Sequence, residues 1–210
     1  MISLSEILHT IAQALMIPCL IILIILMAGA VWQIGDIVVE YIAERRKHKC
    51  DVPQLLKTIP GAGAEKLPAL IEESGLLRRQ KKALLELAES RGLPKDTLTA
   101  LAERLLATEE ARNARTTSIT DMIAKLGPMF GLLGTLIPLG PGIVALGQGD
   151  TVTLSESMNV AFDTTIAGVI SAAVASVISH IRKRWYNDDM VSLETLMEAV
   201  LEEVTADVEG

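Results

Sequence analysis

The feature that most constrains this fold is a set of three long segments with almost no charge. Thr10–Gly35 and Leu126–Gly149 contain no Asp, Glu, Lys or Arg, and Ser157–Ile181 contains only one such residue, Asp163. Each segment exceeds the roughly 20 residues that an α-helix needs to cross about 30 Å of hydrocarbon. The pattern predicts an all-α, polytopic membrane protein with three transmembrane helices.

The composition supports this interpretation. Half of the 210 residues are hydrophobic but only 3% are aromatic, and the apolar residues are concentrated in blocks. A soluble domain of this size usually has more aromatic residues in its core. The first block has neither a basic n-region nor a clear small-x-small cleavage site, so we expect a retained span rather than a signal peptide.

The positions of lysine and arginine predict the orientation. The basic run Arg45–Lys49 follows the first block, Lys125 precedes the second, and Arg182–Arg184 follow the third. The N-terminus and the loop 148–156 contain neither residue type. Positive flanks favour the cytoplasm, so we expect a multi-pass protein of the cell (inner) membrane with its N-terminus outside and its C-terminus cytoplasmic. The predicted segments are 1–36 (first transmembrane helix), 37–125 (cytoplasmic helical insert), 126–149 (second transmembrane helix and outer loop), 150–181 (outer loop and third transmembrane helix) and 182–210 (cytoplasmic acidic helix).

The polar regions also have helical periodicity, so we expect long helices that extend into a cytoplasmic helical domain. Apolar residues recur at helical spacing in 76–90 and 95–125, with turns marked by prolines and glycines between 53 and 68. These helices either pack on one another or hold neighbouring subunits together, and the sequence leaves both alternatives open. The final acidic helix is predicted to place one apolar side inward: Leu193, Leu196, Met197, Val200, Leu201 and Val204.

Small residues line one face of the second span and one face of the third when residues are placed at 100° per step. Helices in lipid associate through close packing at such residues, and prolines are tolerated where the helix is buried in protein. The faces suit either a helix interface or a wet conduit, and we interpret them as looking inward onto a partner. The predicted packing seam is Gly127, Gly131, Gly134, Pro138, Gly142, Ala161, Gly168, Ala172 and Ala175.

Polar side chains beside these faces are candidates for an ion path. Hydroxyl groups provide donors and acceptors, and an intramembrane carboxylate is costly unless it has a function. Asp163 lies near the predicted outer end of its span, so an acid that merely reaches headgroup water is the alternative. The predicted ion-path residues are Thr135, Thr164, Thr165, Ser171 and Asp163.

Other classes of function find no support in the sequence. No Walker loop, nucleophile elbow, dinucleotide fingerprint or HExxH motif is present, so no enzymatic activity and no cofactor are predicted. The two cysteines and three histidines are scattered, without metal-ligand spacing. The net charge of −7 says little by itself, but no basic surface is rich enough to suggest nucleic acid as a partner.

Two motifs resemble those of a known family. "GPMFGLLGT", Gly127–Thr135, resembles the second-span motif G-P-x-x-G-L-L-G-T of the MotA/TolQ/ExbB proton-channel family. "AFDTTIAGV", Ala161–Val169, resembles its third-span motif, in which a threonine precedes a glycine by three residues. The three-span layout is closer to TolQ and ExbB than to the four-span MotA. Members of the ExbB kind often have an acid earlier on the third span than Asp163.

The resemblance implies an ion-conducting stator subunit that passes protons or, as in some members of the family, sodium. In that family a homo-oligomer, typically a pentamer, surrounds helices of a single-span partner of the ExbD/TolR/MotB type, which carries the ion-binding aspartate. Thr135 and Thr165 match the threonines that face the ion path in the family, and Thr164 is adjacent. Two alternatives are a non-conducting membrane scaffold and a self-sufficient homo-oligomeric channel with a ring of Asp163 side chains.

Overall fold

A computed structural model of the chain describes residues 4–45, 52–63 and 65–209. Every regular element in these ranges is helical, and three helices there are long and apolar enough to cross a membrane. The predicted fold class, an all-α protein with three membrane spans, is confirmed, while the orientation stays a prediction. The basic residues 46–49 and Cys50 lie outside the described residues.

The described ranges contain seven α-helices and one π-helical turn, Tyr41–Arg45, which directly follows the second helix. The last two helices have 53 and 59 residues, so each continues well beyond its apolar segment. The helices are α1 (Leu4–Ala14), α2 (Met16–Glu40), α3 (Val52–Thr58), α4 (Leu67–Glu73), α5 (Arg78–Glu89), α6 (Lys95–Gly147) and α7 (Thr151–Glu209).

A tight turn separates the two long helices. Gly149 has a φ of +77°, a backbone conformation that favours glycine. Asp150 then caps α7, because its carboxylate accepts hydrogen bonds from the backbone N–H groups of Val152 (3.2 Å) and Thr153 (3.1 Å). The hydroxyl and backbone N–H of Thr153 hold the pKa of the Asp150 carboxyl below its usual value. This cap explains why the third span begins so soon after the second ends.

The chain forms two compact units. The membrane unit comprises Met1–Ile37 and Thr117–Ile181, and therefore contains most of the three apolar segments. The bundle unit comprises Val38–Thr116 and Arg182–Gly210.

An apolar core holds the bundle unit together, and the last part of α7 supplies one side of it. The predicted inward side of the acidic helix is confirmed, since five of its six residues are buried and Leu201 is half-buried. At the C-terminal end of this region, the Glu203 carboxylate accepts hydrogen bonds of 2.9 Å from the backbone N–H groups of Gly61 and Gly63. Both glycines have positive φ. The core residues are Ile59, Leu67, Ile71, Leu76, Ala83, Leu84, Leu87, Ala88, Leu98, Ala102, Leu193, Leu196, Met197, Val200 and Val204.

A buried ion pair joins the end of α2 to α7 in the bundle unit. Arg182 is only 1% exposed, and its Nε donates to Glu40 Oε2 at 3.1 Å. Burial, and next the charge of Glu40, raise the pKa of Tyr186 to about 12. The π-helical turn continues the contact, since Tyr41 stacks on Trp185 with 6.1 Å between ring centroids.

The guanidinium group of Arg45 has two partners on α7. It lies 4.4 Å from the centroid of Trp185 and donates a hydrogen bond to Asp189 at 2.5 Å. Burial raises the pKa of Asp189, and the Arg45 charge acts in the opposite direction. The π-helical turn, often found at functional or strained positions, is therefore fixed by ring stacking and by an ion pair.

Candidate functional site

The small faces of α6 and α7 pack directly against each other within one chain. A Cβ atom placed on Gly127 would lie 2.6 Å from the carbonyl oxygen of Gly168, and one on Gly134 would lie 2.6 Å from Cβ of Thr164. Gly142 meets Ser157 in the same way, at 3.1 Å. Contacts that advance along α6 move backward along α7, so the two helices are antiparallel. Only glycine allows this separation between the helices.

All predicted seam residues are buried. The sequence leaves two alternatives for these residues, a helix interface and a wet conduit. Within one chain, they form a helix interface. Thr164 and Ser171 lie in the same interface and are 5% and 1% exposed. Their hydroxyl groups donate to carbonyl groups of α7 itself, Thr164 to Val160 and Ala161 and Ser171 to Ala167.

The helix α2 covers one side of the α6–α7 pair. Leu26 and Ala30 of α2 pack in one apolar cluster with Ile123 of α6 and Ala175 of α7. The thiol of Cys19 donates to the carbonyl oxygen of Phe130 at 3.4 Å. On the helix surface, Ile123 and Phe130 lie about 50–70° to one side of the α6 seam. The opposite side of the pair lies away from these α2 contacts, and we call it the uncovered face.

Thr135 and Thr165 both lie at this uncovered face. At 100° per residue, each is rotated by about 70° from its seam in the direction away from the α2 contacts. Both side chains are half-buried, and their hydroxyl groups donate to carbonyl groups of their own helices, Thr135 to Leu132 at 2.7 Å and Thr165 to Ala161 at 3.0 Å. Each hydroxyl oxygen keeps lone pairs that can accept a further hydrogen bond.

Contacts between the helices place the two threonines within about one helical turn of each other along the pair. A Cβ atom on Gly131 would lie 3.6 Å from Cα of Thr165, and one on Gly134 would lie 2.6 Å from Cβ of Thr164. Thr135 directly follows Gly134 and lies four residues, about 6 Å of helix rise, after Gly131. Farther along the pair, the hydroxyl of Ser179 donates to Oδ1 of Asp121 at 2.5 Å.

Asp163 lies elsewhere. Its side chain is exposed, and its position on α7 is about 130° from the seam, on the part of the helix that faces away from α6. The predicted ion-path residues are therefore divided among the uncovered face (Thr135 and Thr165), the interior of the helix pair (Thr164 and Ser171) and the far side of α7 (Asp163).

Sequence reasoning assigned no role to Asp121, and it placed Ser179 only on the small face of the third span. Asp121 falls just before the uncharged segment of the second span and was counted with the polar insert, although in the structure it belongs to the membrane unit. The sequence does contain a signal for Asp121: it lies close to four helical turns before Thr135 and therefore shares one helix face with this candidate residue.

The fold and the site define a class of protein: a membrane protein of three helical spans with two threonine hydroxyl groups on one face of a tightly packed helix pair. The model of the MotA/TolQ/ExbB proton channel family matches residues 70–195, well over half of the chain, so the protein belongs to this family. Membership indicates a proton-channel, stator-type function in a membrane. Comparison with individually curated proteins gave no match.

Proposed function

We propose that the protein is the ring-forming subunit of an ion-driven membrane stator, which conducts protons along the uncovered face of α6 and α7. Several copies surround the helices of a single-span partner of the ExbD/TolR/MotB type. The observation that carries the proposal is the pair of threonines, Thr135 and Thr165, on the side of α6 and α7 that lies away from the α2 contacts. In a ring, this face turns toward the partner and α2 turns toward lipid.

The chemistry of the threonines suits this task. A hydroxyl group donates to a carboxylate when the carboxylate is charged and accepts from it when it is protonated. A partner aspartate beside Thr135 and Thr165 is therefore stabilised in both states, which lowers the cost of charge inside the membrane. The membrane potential supplies about 2.3 kcal/mol per charge per 100 mV.

The packed seam has a supporting role in the proposal. Close contact between glycines makes α6 and α7 a rigid wall, and Thr164 and Ser171 belong to that wall rather than to the path. Asp163, on the far side of α7, is outside the path. The proposal therefore predicts that Asp163→Asn conducts normally, whereas a channel built on a ring of Asp163 side chains predicts loss of conduction.

The test is ion flux in vesicles that contain the chain and its single-span partner. We expect Thr135→Ala and Thr165→Ala each to reduce proton flux about tenfold, the effect of one lost hydrogen bond worth about 1.4 kcal/mol. The oligomer should stay assembled. Thr10→Ala is a matched control, because Thr10 is exposed on α1, outside the α6–α7 pair, and its hydroxyl likewise donates to a carbonyl group of its own helix, at Glu6. Normal flux in the double variant would refute the threonine assignment, and no flux in the wild-type complex would favour a scaffold.

A further inference from the structure

We propose that Asp121 is a second ion-binding carboxylate, contributed by this chain, at the end of the uncovered face opposite to the outer turn. It takes a cation, either a proton or sodium, that has passed Thr135 and Thr165. The inference deepens the proposed function and rests on it. The juxtaposition that carries it is a carboxylate of α6, held by a hydroxyl of α7, on the same face as the threonine pair.

The position of Asp121 follows from the helix geometry. Asp121 and Thr135 are fourteen residues apart on one continuous helix, so they differ by only about 40° around the axis and by about 21 Å along it. Both lie on the side of the α6 seam opposite to Ile123, which contacts α2. An ion that follows the uncovered face from the threonines therefore reaches Asp121 without crossing the helix pair.

Polar side chains of both helices lie beside Asp121. Its partner Ser179 is 4% exposed and donates to Oδ1 at 2.5 Å. Thr120 and Thr117, on the adjacent part of α6, are 0% and 7% exposed, and the Thr120 hydroxyl donates to the Thr117 carbonyl. A half-buried carboxylate that is held in place by a hydroxyl donor is a preorganised acceptor for a cation.

The proton step balances simply. A proton carried by water along the uncovered face forms an O–H bond with an Asp121 carboxylate oxygen, and the water keeps its electron pair. The carboxyl group then releases the proton to water at its own end of the face. For sodium, the Asp121 and Ser179 oxygens act as ligands, and no bond to hydrogen changes.

A hydrogen bond between Asp121 and Ser179 that only holds α6 to α7 is the structural alternative, and three variants separate it from an ion site. Asp121→Asn keeps an acceptor for Ser179 but cannot take up a proton. Asp121→Glu keeps the carboxylate, and Ser179→Ala removes the hydrogen bond while leaving the carboxylate in place. Asp96→Asn is the matched control, because Asp96 lies in the first turn of α6 in the bundle unit.

The experiment measures flux in vesicles that contain the full chain and its single-span partner under a potential of about 100 mV. A pH-sensitive dye reports protons and a sodium-sensitive dye reports sodium, so the two arms identify the ion. We expect flux to fall about tenfold in Asp121→Asn, to be retained in part in Asp121→Glu, and to exceed the Asp121→Asn value in Ser179→Ala. The oligomer and the Asp96→Asn flux should be unchanged.

Three outcomes would overturn the inference. Normal flux in Asp121→Asn removes the ion site and leaves the proposed function standing. A loss in Ser179→Ala at least as large as that in Asp121→Asn assigns the pair to helix packing, because Asp121→Asn keeps an acceptor for the Ser179 hydroxyl. Absence of flux in the wild-type complex removes both the proposed function and the site at Asp121.

Discussion

Contacts between individual residues determine which charged side chains of this protein can be buried. Arg182 directly follows the third apolar segment, yet it is almost fully buried against Glu40 rather than extended into solvent. The run of basic residues 182–184 predicts the end of a span, but it does not reveal which member is buried. That choice depends on the position of Glu40, which lies 142 residues away in the chain.

The Arg182–Glu40 pair leads to a prediction about stability. Removal of one partner from a buried pair leaves an uncompensated charge and costs about 3–5 kcal/mol. We expect Arg182→Met to lower the thermal stability of the purified protein strongly, and Arg184→Met, at an exposed position, to leave it nearly unchanged. The double variant Glu40→Met/Arg182→Met should recover part of the loss. Equal stability of Arg182→Met and Arg184→Met would show that the pair contributes little.

At the scale of elements, the α6–α7 pair is the structural basis of the site. The periodicity of glycine, alanine and serine predicts the small face of each helix, because a helical face can be read from spacing alone. The partner of each face cannot be read in this way. An inward-facing stripe and a stripe packed on a neighbouring helix have the same spacing, so the mutual packing of the two stripes emerges only from the three-dimensional contacts.

The seam predicts different outcomes for two glycines. A Cβ on Gly168 would lie 2.5 Å from the Gly127 carbonyl oxygen and 2.9 Å from Cα of Gly131, so both obstacles are backbone. Such overpacking costs about 1–3 kcal/mol. Gly140→Ala is the control on α6, since nothing lies within 4 Å of its Cβ position. We expect Gly168→Ala to lower the melting temperature and Gly140→Ala to preserve it, and the reverse order would refute the packing of the seam.

The uncovered face gives a second prediction at this scale. In a background with Cys19 and Cys50 replaced by alanine, Ser176→Cys lies on the uncovered face and Ile24→Cys on the exposed side of α2. We expect a charged, membrane-impermeant thiol reagent to modify Ser176→Cys in the assembled protein and to leave Ile24→Cys unmodified. Co-expression of the partner should slow the first reaction. If the reagent modified Ile24→Cys and not Ser176→Cys, water would reach the α2 side of the helix pair instead of the uncovered face, which would contradict the account.

For the whole molecule, the sequence predicts the class more securely than the assembly. The lengths of the uncharged segments predict three spans, which the structure contains. The two glycine-rich motifs indicate the family, which the family match confirms. The division at Ile37, Thr116 and Ile181 follows from contacts that the chain makes over long separations. Copy number and partner depend on surfaces between chains, where apolar residues that face lipid and those that face another subunit have the same hydropathy.

A density map of the complex with its partner in a lipid nanodisc tests the central claim most directly. The account predicts a ring with Thr135 and Thr165 turned toward a central partner helix, Asp121 on the same inner wall, and α2 at the lipid boundary. A map in which α2 lines the centre and the two threonines lie against acyl chains would contradict it.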